Sequence, residues 1–401
     1  MVVTRKQRAD RWSVLVAAVI LVCFYAVMST QMYGVAYRND YLSFYSGAAL
    51  AFDPALYDIA RETAEQQSLL PEPGRPLVPF VRPVWYAWAL RPLSWLPLDR
   101  AFLVWLGFQY ALLAWCWWRA WRRFGDLALL LCVLYWPTQI GIANGQDCAL
   151  MLFLVLESFL ALEKERWTRA GVLLALTLVK WHLLVLVPVA LVLNRQWRVF
   201  RAWLCTAAAL AAMFALSGHL PSYFSLLTRK DLDRLAPSPH MMVNVQAIGI
   251  NLGVPWLWVP LAIAVAAFAV WAMRGADLWR WFAIAITASV ILPPHVYEYD
   301  AAPLLVAILC AVTAAPAPFP RIVGFLAALP LAYMSTYAGR PWSLSPSLLL
   351  FVFFLSLAWR SRETAAVTGA AGSAARVPAE LLPRVESLTR PSPLEADGTL
   401  P

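Results

Sequence analysis

Charge is what this sequence has least of. Only 14% of its 401 residues are Asp, Glu, Lys or Arg, while 61% are hydrophobic. A soluble globular chain carries roughly 25% charged residues. Water could not solvate so much apolar surface, so the composition excludes an ordinary soluble domain and predicts an integral membrane protein. The six cysteines lie in or beside apolar runs without metal-like pairing, so neither a disulfide scaffold nor a zinc site is expected. Histidine is scarce, at four residues. Nothing suggests nucleic-acid binding. The basic N-terminus, TRKQRAD, precedes an apolar run from Trp12 to about Met32 with no small-x-small cleavage site after it. That run exceeds the roughly 7–15 residues of a signal-peptide core and reads as a retained first span.

Apolar runs broken by charges predict an all-α bundle of twelve crossings, near 12–33, 101–118, 127–140, 147–161, 170–180, 183–194, 199–217, 249–273, 278–293, 301–316, 321–338 and 344–360. Positive charge tests the threading independently. Arg5, Lys6, Arg8 and Arg11 put the N-terminus (1–11) in the cytoplasm. Alternation then gathers Arg119, Arg122, Arg123, Lys164, Arg166, Arg169, Arg195, Arg198, Arg201, Arg274, Arg280, Arg321, Arg360 and Arg362 on the same side. The loops around 141–146 and 294–300 hold no Lys or Arg. The membrane domain thus covers 12–360, with extracytoplasmic loops at 34–100 and 218–248 and an Ala/Ser/Pro-rich cytoplasmic tail at 361–401, expected to be disordered.

Some crossings are short. Runs 170–180 and 183–194 reach only about 15–20 Å at 1.5 Å per residue, against a hydrocarbon core of roughly 30 Å. Their joint, VKWH, should therefore end below the outer interface, as should the turn GIANGQDC. Irregular polar backbone at that depth is tolerated where it lines a cavity, which places Asn144, Gln146, Asp147, Lys180 and His182 on a cavity floor. Longer tilted helices with snorkelling side chains are the alternative.

After the first span, YRNDYLSFYSGAALAFDPALYD sets Asp40 ahead of Tyr41, Phe44, Tyr45 and Ala48 at helical spacing. This predicts an interfacial amphipathic helix led by a carboxylate, which an N-cap role would also explain. The Pro- and Trp-rich FVRPVWYAWALRPLSWLPLDRA is too interrupted for a clean crossing. Most of the 21 Trp residues read as interface anchors, and Trp85, Tyr86 and Trp181 are those near candidate site residues.

Taken in order, DYLSFYSGAALAFDPALYD, FVRPVWYAWALRPLSWLP, NGQDCALMLFL, LTLVKWHLLVLVPVAL and PPHVYEYDAAPLL make residues 10–340 resemble glycosyltransferase family 87. The chain departs from that pattern at Arg82-Pro83-Val84, at Cys148 and at Lys180-Trp181. The resemblance implies a GT-C-type membrane bundle that moves a hexose, mannose foremost, from a polyprenyl-phosphate sugar to a glycolipid or glycan acceptor. It places the work at the outer face of a bacterial inner membrane, among membrane lipids and without cofactor or metal. It implies Asp40 as the base and His295 as its partner or a contact to the sugar. Lys180, His182 and Arg82 become phosphate contacts, and Gln146, Asn144, Tyr45, Glu298, Asp300 and His240 substrate contacts. A transporter or lipid flippase would share the short helices and the deep lysine. It would place polar groups near the midplane, usually between internal repeats, and none is evident here.

Overall fold

The computed structural model describes residues 40–69, 78–228 and 239–359, with four isolated helical positions in the first apolar run. The expected first crossing at 12–33 otherwise lies outside the described residues, as do the N-terminus 1–11 and the tail 361–401. Among the described residues the fold is helical throughout, without strands. Its helices are α1 (Asp40–Ala49), α2 (Ile59–Leu69), α3 (Val84–Leu90), α4 (Leu98–Phe124), α5 (Asp126–Leu134), α6 (Trp136–Ala143), α7 (Cys148–Glu163), α8 (Trp167–Leu176) and α9 (Leu186–Leu193). They continue as α10 (Trp197–Leu216), α11 (Leu220–Leu227), α12 (Val245–Asn251), α13 (Trp258–Met273), α14 (Leu278–Ile291), α15 (Leu304–Ala314), α16 (Pro318–Ala328), α17 (Pro330–Met334) and α18 (Ser345–Trp359).

By length and composition, four of the described helices can cross a bilayer, or up to seven spans if each bent pair is one. Two shorter apolar helices, α14 and α15, stand beside them. The sequence expectation of twelve is larger: 12–33 lies outside the described residues, 170–180 and 183–194 are the two halves of one bent pair, and 147–161, 278–293 and 301–316 correspond to helices of only 16, 14 and 11 residues. Proline accounts for two of the breaks. Pro137 offers no N–H to the helix at the α5–α6 junction, bent by 44°. Leu329 is extended (φ −74°, ψ 140°) ahead of Pro330, and the α16–α17 pair bends by 63°.

The third break matters most. Between α8 and α9 the chain runs as a 3-10 segment, Thr177–Leu184, and the pair bends by 116°. Lys180 is non-helical there (φ −120°, ψ 64°), at the VKWH joint that the short runs predict. The break frees backbone donors, and Ser289 Oγ of α14 accepts one from Leu186 N at 2.9 Å. A broken helix inside a bundle needs such replacement acceptors.

Helix α1 differs from the expected half-exposed interfacial helix. Tyr41 through Ala48 are all buried, because α3 and the 3-10 turn Arg91–Trp95 close over it. Tyr45 donates to the Leu96 carbonyl at 2.8 Å and Arg91 caps the Ala48 carbonyl at 3.1 Å. Both bonds tie α1 down rather than leave it on a surface.

Candidate functional site

The turn between α6 and α7 is the frame of the site. Asn144 N donates to Ile140 O, Gly145 N to Ile142 O and Gln146 N to Gly141 O, at 2.9, 2.9 and 2.8 Å. This helix-ending turn requires a left-handed residue, and Gly145 supplies it at φ +71°. Trp105 Nε1 holds the Gly145 carbonyl at 2.8 Å. Gly141 is equally constrained, since a β-carbon there would lie 2.2 Å from Cys148 Sγ. The motif NGQDC is thus a rigid turn that delivers Gln146 and Asp147 to one place.

Three chain segments converge on those two side chains, and a fourth joins through Lys180. Arg82, from the stretch before α3, reaches Asp147 Oδ2 through Nε at 3.1 Å and Gln146 Oε1 through Nη2 at 3.2 Å. Lys180 reaches Asp147 Oδ1 at 2.9 Å, Asp300 Oδ1 at 2.7 Å and Gln146 Oε1 at 3.4 Å. Asp40, first residue of α1, lies beside the Gln146 side chain, which favours its ionised form. Its electrostatic surroundings include Lys180, Arg82, Asp300 and Tyr299.

The lysine is 1% exposed. A charge so buried is tolerated only when paired, and Lys180 has two carboxylates. Its Nζ lies within 3.4 Å of three acceptor oxygens, so the protein itself supplies its close partners. Arg82 differs, because its Nη1 has no partner among the described residues. Its guanidinium also lies over the Phe44 ring, 5.5 Å from the centroid.

The segment HVYEYD divides its labour. Asp300 accepts from Lys180 and, through Oδ2, from Tyr297 N at 3.2 Å. The Tyr299 ring lies 5.6 Å from Lys180 Nζ. Its carbonyl accepts from Cys148 Sγ at 3.2 Å, while Tyr135 Oη bonds Ala301 O at 2.7 Å. These two bonds fasten the segment to α6 and α7. Glu298 is buried and accepts from Tyr337 Oη, so it anchors the segment to the 3-10 turn Ser335–Ala338 that follows α17. His295 is exposed, sets its ring edge-on to Tyr297 at 5.0 Å and acts electrostatically on His182. His182, half-buried, also feels Asp300, Arg82 and Lys180.

The structure therefore brings Asp40, Gln146, Arg82, Lys180, Asp300 and His182 into one electrostatic neighbourhood, with His295 at its edge beside His182. Tyr45, bonded to Leu96, and Glu298, bonded to Tyr337, occupy supporting positions. Asn144 is the half-buried cap of α6. His240 sits in the turn Pro239–Met241, whose neighbours Val243 and Asn244 bond Val296 O and Pro293 O at 3.0 and 2.7 Å.

Sequence reasoning placed Asp147 on the cavity floor but gave it no role, although a deep arginine and lysine require a counter-ion. Tyr299 was overlooked within its own motif. Tyr86, expected near the site, has a buried hydroxyl that acts electrostatically with Asp147 without reaching hydrogen-bond geometry. Among the described residues no group of three or more His, Cys, Asp or Glu side chains is arranged to hold a metal ion.

Burial pushes the Asp40 carboxyl up to about 6 from 3.8. The Gln146 hydrogen bond and the Lys180 and Arg82 charges work against that rise, and Asp300 adds to it. A carboxylate in this range is poised to exchange protons near neutral pH.

In comparison with known proteins, the chain matches the family model of glycosyltransferase family 87 over residues 80–294. The match is narrower than the 10–340 over which the sequence motifs run. It starts at the Arg82 stretch and stops one residue before His295, so Asp40, His295, Glu298 and Asp300 fall outside it. No curated protein and no solved structure matches. The matched residues make up more than half of the chain and include Arg82, Gln146, Asp147 and Lys180, and the chain accordingly belongs to glycosyltransferase family 87, as a membrane glycosyltransferase.

Proposed function

We propose that the protein transfers a hexose, mannose foremost, from a polyprenyl-phosphate sugar to a lipid-linked or glycan acceptor on the extracytoplasmic face of a bacterial plasma membrane. In one displacement the acceptor oxygen bonds to the anomeric carbon as the bond from that carbon to the phosphate oxygen breaks. Asp40 takes the acceptor proton, polyprenyl phosphate leaves, and the anomeric configuration inverts. A carboxylate suffices as base when proton transfer is late in an oxocarbenium-like transition state.

What carries this reading is the link between Asp40 and two buried cations through one amide. A proton acceptor and a phosphate-competent guanidinium thereby stand on opposite sides of Gln146. Arg82, with Nη1 still available, is the contact for the departing phosphate, and developing negative charge there is what a positioned cation stabilises. Lys180 acts behind it, holding Asp147 and Asp300 in place. His182 and His295 border the donor's sugar or phosphate.

The test uses membranes containing wild type or Asp40→Asn, incubated with radiolabelled polyprenyl-phosphate mannose. The expected result is labelled glycolipid from wild type and at least a 100-fold smaller yield from Asp40→Asn, the scale of a lost general base. Equal labelling from both removes Asp40 as base. No labelled glycolipid from wild type, with other polyprenyl-phosphate hexoses active, corrects the sugar alone.

A further inference from the structure

Gln146 is the joint between two kinds of charge. Its Oε1 accepts from Arg82 Nη2 at 3.2 Å and from Lys180 Nζ at 3.4 Å, which leaves its amide nitrogen as the group beside Asp40, whose helix start packs against the Gly145 turn. The orientation is forced by the chemistry of the partners. Guanidinium and ammonium groups only donate and an ionised carboxylate only accepts, so a flipped amide would face three wrong partners at once. The backbone beneath is equally fixed, because Gln146 N closes the α6 turn onto Gly141 O at 2.8 Å. The side chain is 7% exposed, so water is poorly placed to substitute for it.

The arrangement solves a conflict. A carboxylate beside two cations would ordinarily pair with one of them, and such pairing makes it a weaker base. Here Asp147 and Asp300 occupy the cations, and a neutral amide fills the interval before Asp40. We infer that Gln146 is a positioning residue that aims the Asp40 carboxylate at the acceptor hydroxyl while standing between it and the Arg82 and Lys180 charges. The inference rests on Asp40 being the base.

The groups that set the proton affinity of Asp40 are Gln146 from the α6–α7 turn, Lys180 from the helix joint, Arg82 from the stretch before α3, and Asp300 with Tyr299 from HVYEYD. Replacing the amide therefore alters two readouts together. In Gln146→Leu the carboxylate loses its donor. The rate at saturating donor falls about 10- to 100-fold, as expected when a reacting group is misplaced by about an ångström. KM for the donor changes less than about 3-fold, since uniform binding is not what the amide supplies. In Gln146→Glu the new carboxylate takes the two cations but sets a second anion beside Asp40. The acid limb of the pH–rate profile then moves up by about one pH unit. Gln146→Asn, one methylene short, falls between Gln146→Leu and wild type.

The experiment measures transfer from radiolabelled polyprenyl-phosphate mannose in membranes, across pH and donor concentration, for wild type, the three Gln146 variants and Asp40→Asn. A lower maximal rate with a displaced acid limb supports the inference. A Gln146→Leu or Gln146→Glu enzyme with the wild-type rate and profile overturns it. So does loss of rate with an unmoved profile in Gln146→Glu, which marks a purely structural role. Should Gln146→Leu fail to accumulate, Gln146→Glu and Gln146→Asn decide by the same criteria. An active Asp40→Asn removes the base itself, and that failure is read separately from the Gln146 variants.

Discussion

Gly145 and Tyr41 approach so closely that a β-carbon on the glycine would stand 2.7 Å from the β-carbon of the tyrosine. The close approach sets the start of α1, and with it Asp40, against the turn that carries Gln146. Gly145→Ala meets two obstacles, a left-handed φ of +71° and that contact. The left-handed conformation costs an alanine about 1 kcal/mol, and α1 must also move away. The expected outcome is an enzyme that still accumulates in membranes but transfers sugar roughly 100-fold more slowly, the penalty of about an ångström at the reacting group. Rates and protein levels measured side by side check it.

The Asp40 carboxyl, raised to about 6, must be ionised to act as a base. Transfer should therefore be at full rate above that pH and fall about tenfold per unit below it. Potassium-balanced buffers from pH 4.5 to 8, with sub-saturating donor, give the profile. A flat acid limb down to pH 4.5 would contradict the assignment.

Removing the Lys180 ammonium leaves Asp147 and Asp300 facing each other's charge in a buried place. Deleting one partner of such a pair typically costs about 3–5 kcal/mol. Lys180→Met should lower the melting temperature of the protein in detergent. Adding Asp300→Asn to it should recover part of the loss, because the orphaned charge goes too. A double-mutant cycle over Lys180 and Asp300 should show coupling of about 1–3 kcal/mol.

Glu62 of α2 is a buried carboxyl away from the proposed reaction. Its Oε1 accepts from Phe80 N at 2.5 Å, Gln66 Nε2 at 3.3 Å and Ser46 Oγ at 3.4 Å, while Oε2 is buried with no partner among the described residues. Burial pushes this carboxyl up to about 8 from 4.5. A raised carboxyl favours the folded state in its protonated form, so its contribution is complete below pH 4.5 and is lost as pH rises through about 8. Wild type should lose thermal stability between pH 4.5 and 8, and Glu62→Gln, which stays neutral, should lose less. Parallel melting curves across that range suffice as a check.

Much of the architecture could be read from the residues because it follows from length and charge. The pair 170–180 and 183–194 is too short for two spans, and the structure bends it by 116° with Lys180 at the break. NGQDC was legible as a turn because Gly145 punctuates it. Partner identity was less legible. Asp147 and Lys180 are distant in sequence, and only the three-dimensional turn reveals that the lysine spends its donors on acids rather than on substrate. Helix α1 misled for a related reason. Its pattern of Tyr41, Phe44, Tyr45 and Ala48 describes one face, while its cover comes from α3 and the Arg91–Trp95 turn, which periodicity within α1 does not report. Glu62 carried no signal, because its burial depends on Phe80 and Ser46 from other segments.

The ion-pair chain also has an order in time. Arg82 emerges from the ribosome first, and its acid, Asp147, follows 65 positions later. Lys180 arrives 34 positions after Gln146, so by then a counter-ion is already threaded and no naked ammonium has to enter lipid. Asp300 comes last, 120 positions behind the lysine, and neutralises a cluster whose earlier members, Arg82, Asp147 and Lys180, carry one net positive charge. The order of synthesis thus meets the lysine, though not Arg82, with an acid already in place, and a chain truncated before Asp300 would still insert its lysine in company.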